Sequence, residues 1–326
     1  MAAVALIPIP QSESTALLAH SFNRAEAYSR ASKAPATRRG YQSDWRRFAA
    51  WCASAGLDSL PAQPETVAFY ISHLAETHKP ATVGRHLASI ASAHKGRGFS
   101  SPASMQHGAV ASVWQGIKRT HGTAQVQKQP LLTADMRAMV RTLSPDRLIS
   151  TRDRALLLVG FAGAFRRSEL VGLDVADCSF SNDGLTITLR RSKTDQEGAG
   201  RKVGIPYGSN PETCPVRGMQ AWLAASGITE GPVFRWVNRH GGMQPGRLSG
   251  TAVALIVKRH AGAAGFDASK FAGHSLRAGL ATQAAMGGAS ERSIMNTTGH
   301  KSSAMVRRYI RGVSLFTENA AAVCGL

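Results

Sequence analysis

A tyrosine near the end of the sequence lies in a segment rich in groups that can bind phosphate. Tyr309 follows a Gly-His pair by nine residues and has two arginines directly before it. A phenol in these surroundings has two interpretations: a core ring whose hydroxyl reaches the surface, or a nucleophile directed at a negatively charged group. The second interpretation requires positive or hydrogen-bonding partners from elsewhere in the chain.

Two earlier segments carry side chains of that kind. In GHSLRAGL, His274 and Arg277 stand three positions apart, so on a helix they share one face and can reach the same ligand. Surface pairs of this kind are also common in proteins without a site. In GAFRRSEL, Arg166 precedes Glu169 by three positions, so the carboxylate can hold the guanidinium in place, although such pairs are usually structural. Neither segment alone indicates an active site.

Other familiar sites are missing from the sequence. It has no HExxH and no GxGxxG that opens a helix after a strand. GGMQPGRL has the glycine spacing of a phosphate-binding loop, but Arg247 and Leu248 stand where Lys and Ser/Thr are required, so we predict a turn there. The four cysteines form no CxxC pair and the acidic residues form no close cluster. We therefore expect no metal, no cofactor and no disulfide.

Charge is the strongest global feature of the chain. Its 39 Lys and Arg against 20 Asp and Glu give a net charge of +19, which favours a polyanionic partner, most simply nucleic acid. Residues 1 to 125 hold 13 basic and 6 acidic residues and the remainder 26 and 14, so both halves are expected to contact the partner. An anionic membrane is the competing partner, but no basic amphipathic helix, long apolar run or secretory signal stands out. We expect no membrane contact and a cytoplasmic location.

The first half of the sequence has helical periodicity throughout. In TRRGYQSDWRRFAAWC, an apolar stripe at helical spacing ends at Cys52, while Arg46 and Arg47 take another face. Similar stripes recur in PETVAFYISHL, PATVGRHLASIASAHKGRG and VASVWQGIKRTHG. The pattern predicts a bundle of four or five helices whose aromatic residues form its core.

The second half is predicted to be mostly helical with one small antiparallel sheet. GLTITLRRSK and RKVGIP, separated by the turn-rich TDQEGAG, have the pattern of a β-hairpin. A polar stretch with no apolar stripe precedes this half and is predicted to be a linker. The predicted organisation is a disordered tail over residues 1–15, a helical domain over 16–122, a linker over 123–130, and a second, mostly helical domain over 131–326 that ends in a helix.

Read in order, the candidate groups form a specific series: Arg, a hairpin Lys, His-x-x-Arg, Gly-His, then Tyr. This series resembles the tyrosine recombinase family, also called phage integrases. The resemblance covers the second half and implies that residues 131–326 are a catalytic domain. More loosely, it covers the helical first half and implies that residues 16–122 are a DNA-binding domain. The matching positions, with the supporting Glu169, are Arg166, Lys193, His274, Arg277, His300 and Tyr309.

The resemblance implies a role for each of these residues. Tyr309 is the nucleophile that stores the energy of a cut DNA phosphodiester in an ester to its own hydroxyl. Arg166 and Arg277 stabilise the negative charge of the transition state, and His300 adds a hydrogen bond. His274 is a phosphate contact and possible proton acceptor. Lys193 is the general acid for the departing 5′ oxygen, and Glu169 orients the arginine site.

The same resemblance implies a DNA clamp, a 3′-phosphotyrosine intermediate, a Holliday junction and a homotetramer on two inverted-repeat sites, without a small-molecule substrate. A type IB topoisomerase-like enzyme and a DNA-binding protein without catalysis are the alternatives. Further basic residues are candidates for DNA contacts: Arg46, Arg47, Arg85, Lys301, Arg307 and Arg308.

Overall fold

The computed structural model describes residues 13–124, 127–190, 192, 195, 198–314 and 324. These residues form two compact units, which divide between residues 126 and 127. The predicted general acid Lys193 lies outside the described residues. The predicted helix after Tyr309 also lies largely outside them.

The described part of the first unit contains helices and no strand. Its helices are α1 (Glu13–Ala31), α2 (Pro35–Ser54), α3 (Pro64–Ala75), α4 (Pro80–Lys95) and α5 (Gly108–His121). Three of them begin with proline, whose fixed φ and missing N–H suit the first helical turn. The sequence predicts a disordered tail up to residue 15, whereas helix α1 begins at Glu13.

The apolar stripes predicted from the sequence form the core of this unit. Phe48 and Cys52 of α2 are fully buried and pack with Tyr70 of α3 and Ile90 of α4. Phe48 and Tyr70 therefore lie in the core, as expected, whereas Phe69 of α3 is 63% exposed and lies outside it.

The second unit combines eight helices with five short strands in its described part. In chain order these are α6 (Thr133–Arg141), α7 (Leu148–Ala162), α8 (Arg167–Gly172), β1 (Cys178–Phe180), β2 (Gly184–Leu189), β3 (Arg201–Pro206), α9 (Pro215–Ser226), β4 (Arg235–Val237), β5 (Met243–Arg247), α10 (Gly250–Ala263), α11 (His274–Met286), α12 (Glu291–Thr298) and α13 (Ser303–Ser314). The predicted fold class, mainly helical with a small antiparallel sheet, is confirmed.

The predicted hairpin is the β2–β3 pair, and it belongs to a larger sheet. Strand β2 pairs antiparallel with β3 from Gly184↔Pro206 to Leu189↔Arg201, and β1 adds a third strand on the other side of β2. A second sheet joins β4 and β5. The turn predicted for GGMQPGRL is limited to Gly241 and Gly242, where the Asn238 N–H donates to the Gly242 carbonyl, because Met243–Arg247 is a strand. Arg247 in this strand donates hydrogen bonds to the carbonyls of Val171 and Leu173, so its side chain links β5 to the end of α8.

Close packing of α11 fixes the segment that carries the His-x-x-Arg motif. A Cβ on Gly279 would lie 1.9 Å from the Leu131 carbonyl oxygen, so only glycine allows α11 to approach this backbone. The Leu131 N–H donates to the Ser275 carbonyl at 3.1 Å, which ties the chain to the start of α11. Within the described ranges, no helix combines the length and apolar character needed to cross a bilayer.

Candidate active site

Arg166 lies at the turn between α7 and α8, where Glu169 holds it. The Glu169 carboxylate accepts the backbone N–H of Arg166 at 2.9 Å and its guanidinium NH1 at 2.5 Å. Glu169 is buried, whereas 16% of the Arg166 side chain stays exposed. The predicted ion pair therefore fixes both the backbone and the guanidinium of this arginine.

Arg277 projects from the first turns of α11 and is almost fully buried. Its NH1 donates to the carbonyl of Ala164 at 2.7 Å, and its NH2 donates to His300 Nε2 at 2.9 Å. Ala164 has φ of +48°, an uncommon value for a residue with a Cβ, and its strained backbone directs this carbonyl. Within the described part of the chain, no carboxylate lies at ion-pair distance from Arg277. The guanidinium is thus buried with neutral partners, which leaves its charge available to an anion.

His300 follows α12 and is held by the end of that helix. Its Nδ1 lies 2.8 Å from the hydroxyl of Thr298, which is itself fully buried and contacts the Ile294 carbonyl at 2.7 Å. Gly299 ends the helix with φ of +67°, a left-handed conformation that glycine adopts without strain. The loop therefore turns the histidine back towards Arg277.

Arg201, the first residue of β3, contacts the same helix end. Its NH1 donates to the Thr297 carbonyl at 3.0 Å, with longer approaches to the carbonyls of Asn296 and Thr298. A positive charge at the C-terminus of a helix is favourable because the last carbonyls have no partner within the helix. The strand thereby supports the loop that holds His300.

Tyr309 lies on α13, whose Val306 is buried against α11 and α12. The phenolic oxygen is 3.0 Å from His274 Nε2. The Tyr309 ring also stacks on His300, with centroids 5.7 Å apart and an angle of 25° between planes. Both histidines of the motif series thus contact the tyrosine of their own chain.

The local electrostatics keep the two histidines neutral. Burial, followed by the positive charges of Arg277 and Arg166, lowers the pKa of His274 below its ordinary value. The same causes in the same order lower the pKa of His300 to about 4. Burial also lowers the pKa of Arg277 to about 10, with Arg166 as the next cause, so it remains charged at neutral pH. His274 can therefore act as a proton acceptor towards Tyr309.

The candidate DNA contacts are solvent-facing. Arg46, Arg47, Lys301, Arg307 and Arg308 are exposed, and Arg307 donates to Glu291 at 2.8 Å. Arg85 is half-exposed and is held by the buried Asp44, which accepts its Nε at 2.7 Å and its NH2 at 2.9 Å. Asp44 thus orients one arginine on the surface of the first unit.

The structure brings together five of the six predicted catalytic residues and the supporting Glu169. Sequence reasoning missed Thr298, Arg201 and the Ala164 carbonyl. Thr298 stands two positions before His300, and its hydroxyl at a helix end was the only clue available in the sequence. Arg201 donates to backbone carbonyls, and Ala164 contributes a backbone carbonyl of its own. Contacts with backbone carbonyls cannot be recognised from residue types in the sequence. Within the described residues, no cluster of His, Cys, Asp or Glu is arranged to hold a metal.

Such a site on a basic, mainly helical chain of two units suits an enzyme that acts on DNA. The Phage integrase family matches residues 130–313. An integrase/recombinase XerD homologue from Selenomonas ruminantium is 42% identical over 292 residues, covering 89% of this chain and 85% of that protein. The chain belongs to the phage integrase family: it is a tyrosine recombinase, a site-specific DNA recombinase.

A second relative and a solved structure are also similar to this chain. Recombinase Cre of Escherichia phage P1 is 27% identical over 287 residues, covering 82% of this chain and 81% of that protein. The spacing of the candidate residues is also most like that of Cre, but over the aligned length the XerD homologue is more similar. The XerH site-specific recombinase bound to palindromic difH substrate, in a post-cleavage complex, has a TM-score of 0.57 at 16% identity. That comparison covers 80% of this chain and 72% of the XerH chain and shows a shared fold.

Proposed function

We propose that this recombinase cleaves and rejoins duplex DNA through a 3′-phosphotyrosine at Tyr309, without metal or nucleotide. The observation that carries the proposal is the 3.0 Å contact between the Tyr309 hydroxyl and His274 Nε2, beside a buried guanidinium that no carboxylate neutralises within the described residues. A nucleophile, a proton acceptor and a site for an anion thus adjoin one another.

The cleavage step follows from these positions. The Tyr309 oxygen attacks the scissile phosphorus and its proton passes to His274 Nε2. The bond from phosphorus to the 5′ oxygen breaks, and Lys193 is proposed to protonate that oxygen. Arg166 and Arg277 donate to the non-bridging oxygens, where negative charge builds up. Rejoining is the reverse, with a 5′ hydroxyl as the nucleophile, so no external energy source is needed.

His300 changes its hydrogen-bonding role during this step. In the DNA-free enzyme its Nε2 accepts a hydrogen bond, because the Arg277 guanidinium can only donate. A bound phosphate favours protonation of the ring, which then donates from Nε2 to a non-bridging oxygen while Arg277 turns to the phosphate as well. The negative charge of the substrate thus drives the change.

The proposal extends to the assembly and to the DNA. Four copies on two inverted-repeat sites would exchange strands through a Holliday junction, with both basic units of each copy in contact with the duplex. The exposed Arg46, Arg47, Lys301, Arg307 and Arg308, together with Arg85, are the proposed contacts. Action on cellular DNA implies a cytoplasmic location.

Trapping of a covalent DNA adduct tests the nucleophile. A duplex nicked near the cleavage position loses a short fragment after cutting, so the protein–DNA ester accumulates and is seen as a shifted band under denaturing conditions. We expect the adduct with the wild type and none with Tyr309→Phe. The exposed Tyr207→Phe is the matched control and should form as much adduct as the wild type. Equal adduct with Tyr309→Phe would refute the assignment.

A plasmid assay separates recombination from relaxation. A supercoiled plasmid with two copies of the target site should give recombinant products, whereas a plasmid with no site should stay supercoiled. Relaxation of the plasmid that lacks a site, without recombinants from the other, would instead favour a topoisomerase.

A further inference from the structure

We infer that Thr298 is a positioning residue that sets the tautomer of His300 and thereby holds Arg277 ready for the phosphate. The inference deepens the proposed function and rests on it only for its effect on DNA cleavage. Its structural part concerns the DNA-free enzyme and can be tested there.

The direction of each hydrogen bond in this chain of contacts is fixed by chemistry. A guanidinium only donates, so His300 Nε2, at 2.9 Å from Arg277 NH2, must carry a lone pair. A neutral imidazole has one N–H, which therefore lies on Nδ1. Since the pKa of His300 is lowered to about 4, the ring is neutral at neutral pH.

Thr298 is the acceptor that this tautomer requires. Its Oγ1 lies 2.8 Å from His300 Nδ1 and 2.7 Å from the Ile294 carbonyl oxygen. The carbonyl only accepts, so the single hydroxyl proton of Thr298 points to Ile294 and its lone pair faces Nδ1–H. Thr298 is fully buried, so water does not replace it as a partner. The hydrogen bonds thus run in one direction, from Arg277 through His300 and Thr298 to the Ile294 carbonyl within α12.

The arrangement also suits the proposed change at His300. When the ring takes up a proton from water in the presence of the phosphate, the Nδ1–H to Thr298 bond persists and the new proton lies on Nε2. The histidine then changes from acceptor to donor without rotating. With valine in place of Thr298, Nδ1–H would lose its acceptor, so only the Arg277 donor would still favour this tautomer and the fraction of rings protonated on Nε2 would rise.

Nitrogen NMR of the DNA-free protein tests the tautomer directly. Protein labelled with ¹⁵N in its histidine rings is compared with His300→Gln to assign the His300 signals. In the wild type we expect a pyrrole-type Nδ1 and a pyridine-type Nε2. Thr298→Val should shift the population towards Nε2–H, and Thr298→Ser, which keeps the hydroxyl, should retain the wild-type pattern. A wild-type ring protonated on Nε2 would overturn the inference even if the valine variant does not fold. An unchanged tautomer in a folded Thr298→Val would also overturn it.

Single-turnover cleavage then tests the consequence. We expect Thr298→Val to form the covalent adduct about 10-fold more slowly, the change that loss of one hydrogen bond gives, with non-covalent DNA affinity unchanged. Thr298→Ser should stay within about 2-fold of the wild type. Cleavage by a folded Thr298→Val at the wild-type rate would contradict the positioning role. Failure of the wild type to form any adduct would instead refute the proposed function and leave the tautomer result standing.

Discussion

Single residues of the site gain their function from partners that hold them before DNA arrives. Glu169 is the clearest case, because one buried carboxylate accepts both the backbone N–H and the guanidinium of Arg166. An oriented guanidinium loses less conformational freedom when it binds phosphate. Removal of the carboxylate charge should therefore affect the chemical step more than DNA binding.

We expect Glu169→Gln to lower the single-turnover rate of adduct formation by about 10- to 100-fold, the range for loss of a charged hydrogen bond. The amide can still accept one bond but lacks the charge that pairs with Arg166. Asp183→Asn, at an exposed turn between β1 and β2, is the matched control and should leave the rate unchanged. A wild-type rate for Glu169→Gln would show that Arg166 needs no such support.

His300 should make the stability of the second unit depend on pH. Its folded pKa of about 4 lies below the ordinary value of about 6.5. Between these values the unfolded chain binds more protons, so stability is lost as the pH falls from about 6.5 towards 4. We expect the free energy of unfolding in urea to drop less between about pH 7 and about pH 5 in His300→Gln than in the wild type. Equal drops in the two proteins would contradict the lowered pKa.

The residues that sequence reasoning found and missed differ in a physical way. Tyr309, His274 and Arg277 carry side chains whose chemistry and order are visible in the sequence itself. A threonine hydroxyl near the end of a helix commonly bonds to a carbonyl of the same helix, so its presence does not indicate a site. The contact of Thr298 with His300 depends on the turn at Gly299. Side-chain chemistry could thus be predicted, whereas the hydrogen bonds that orient it depend on the fold.

At the scale of elements, the β3 strand and the end of α12 support the histidine loop together. Arg201 donates to the helix carbonyls, and a Cβ on Gly299 would lie 2.8 Å from the Arg201 Nε. The guanidinium therefore packs directly on the glycine that turns the chain. Loss of this contact should loosen the loop without removing any group from the reaction itself.

We expect Arg201→Gln to lower the free energy of unfolding by about 1–3 kcal/mol, since a charged donor to the end of a helix is lost. Adduct formation should slow as well, because His300 is then less well placed. Lys202→Gln, the exposed next residue of β3, is the matched control and should match the wild type in both measurements. Urea unfolding and single-turnover cleavage supply them, and an Arg201→Gln variant equal to Lys202→Gln would contradict the supporting role.

The predicted elements show where periodicity is informative. The helices α2 to α5 and the β2–β3 hairpin have long, regular patterns and were predicted. Strands β1 and β4 are three residues long, which is too short to show alternation, and β5 contains a proline and a glycine. These strands form because neighbouring segments supply partners, which a local pattern cannot indicate.

At the scale of the whole molecule, the two units share a basic character but have separate cores. The first packs around Phe48 and Ile90, and the second around residues such as Leu156 and Trp222. With a net charge of +19, the basic side chains repel one another unless a bound polyanion neutralises them. Buried Asp44 holds Arg85 on the surface of the first unit, so part of this charge is fixed in place rather than mobile.

This charge predicts a steep dependence of DNA affinity on salt, because each neutralised phosphate releases counterions. With six or more phosphate contacts, affinity should fall by about 10³-fold or more between roughly 50 and 200 mM salt.

The double variant Arg46→Gln, Arg47→Gln should reduce the slope of log affinity against log salt by about 1–2. Fluorescence anisotropy with a labelled duplex measures both slopes, and Arg141→Gln, an exposed arginine of α6 outside the proposed contacts, should keep the wild-type slope. A flat response in the wild type would contradict a broad basic contact with DNA, while an unchanged slope in the double variant would remove α2 from it.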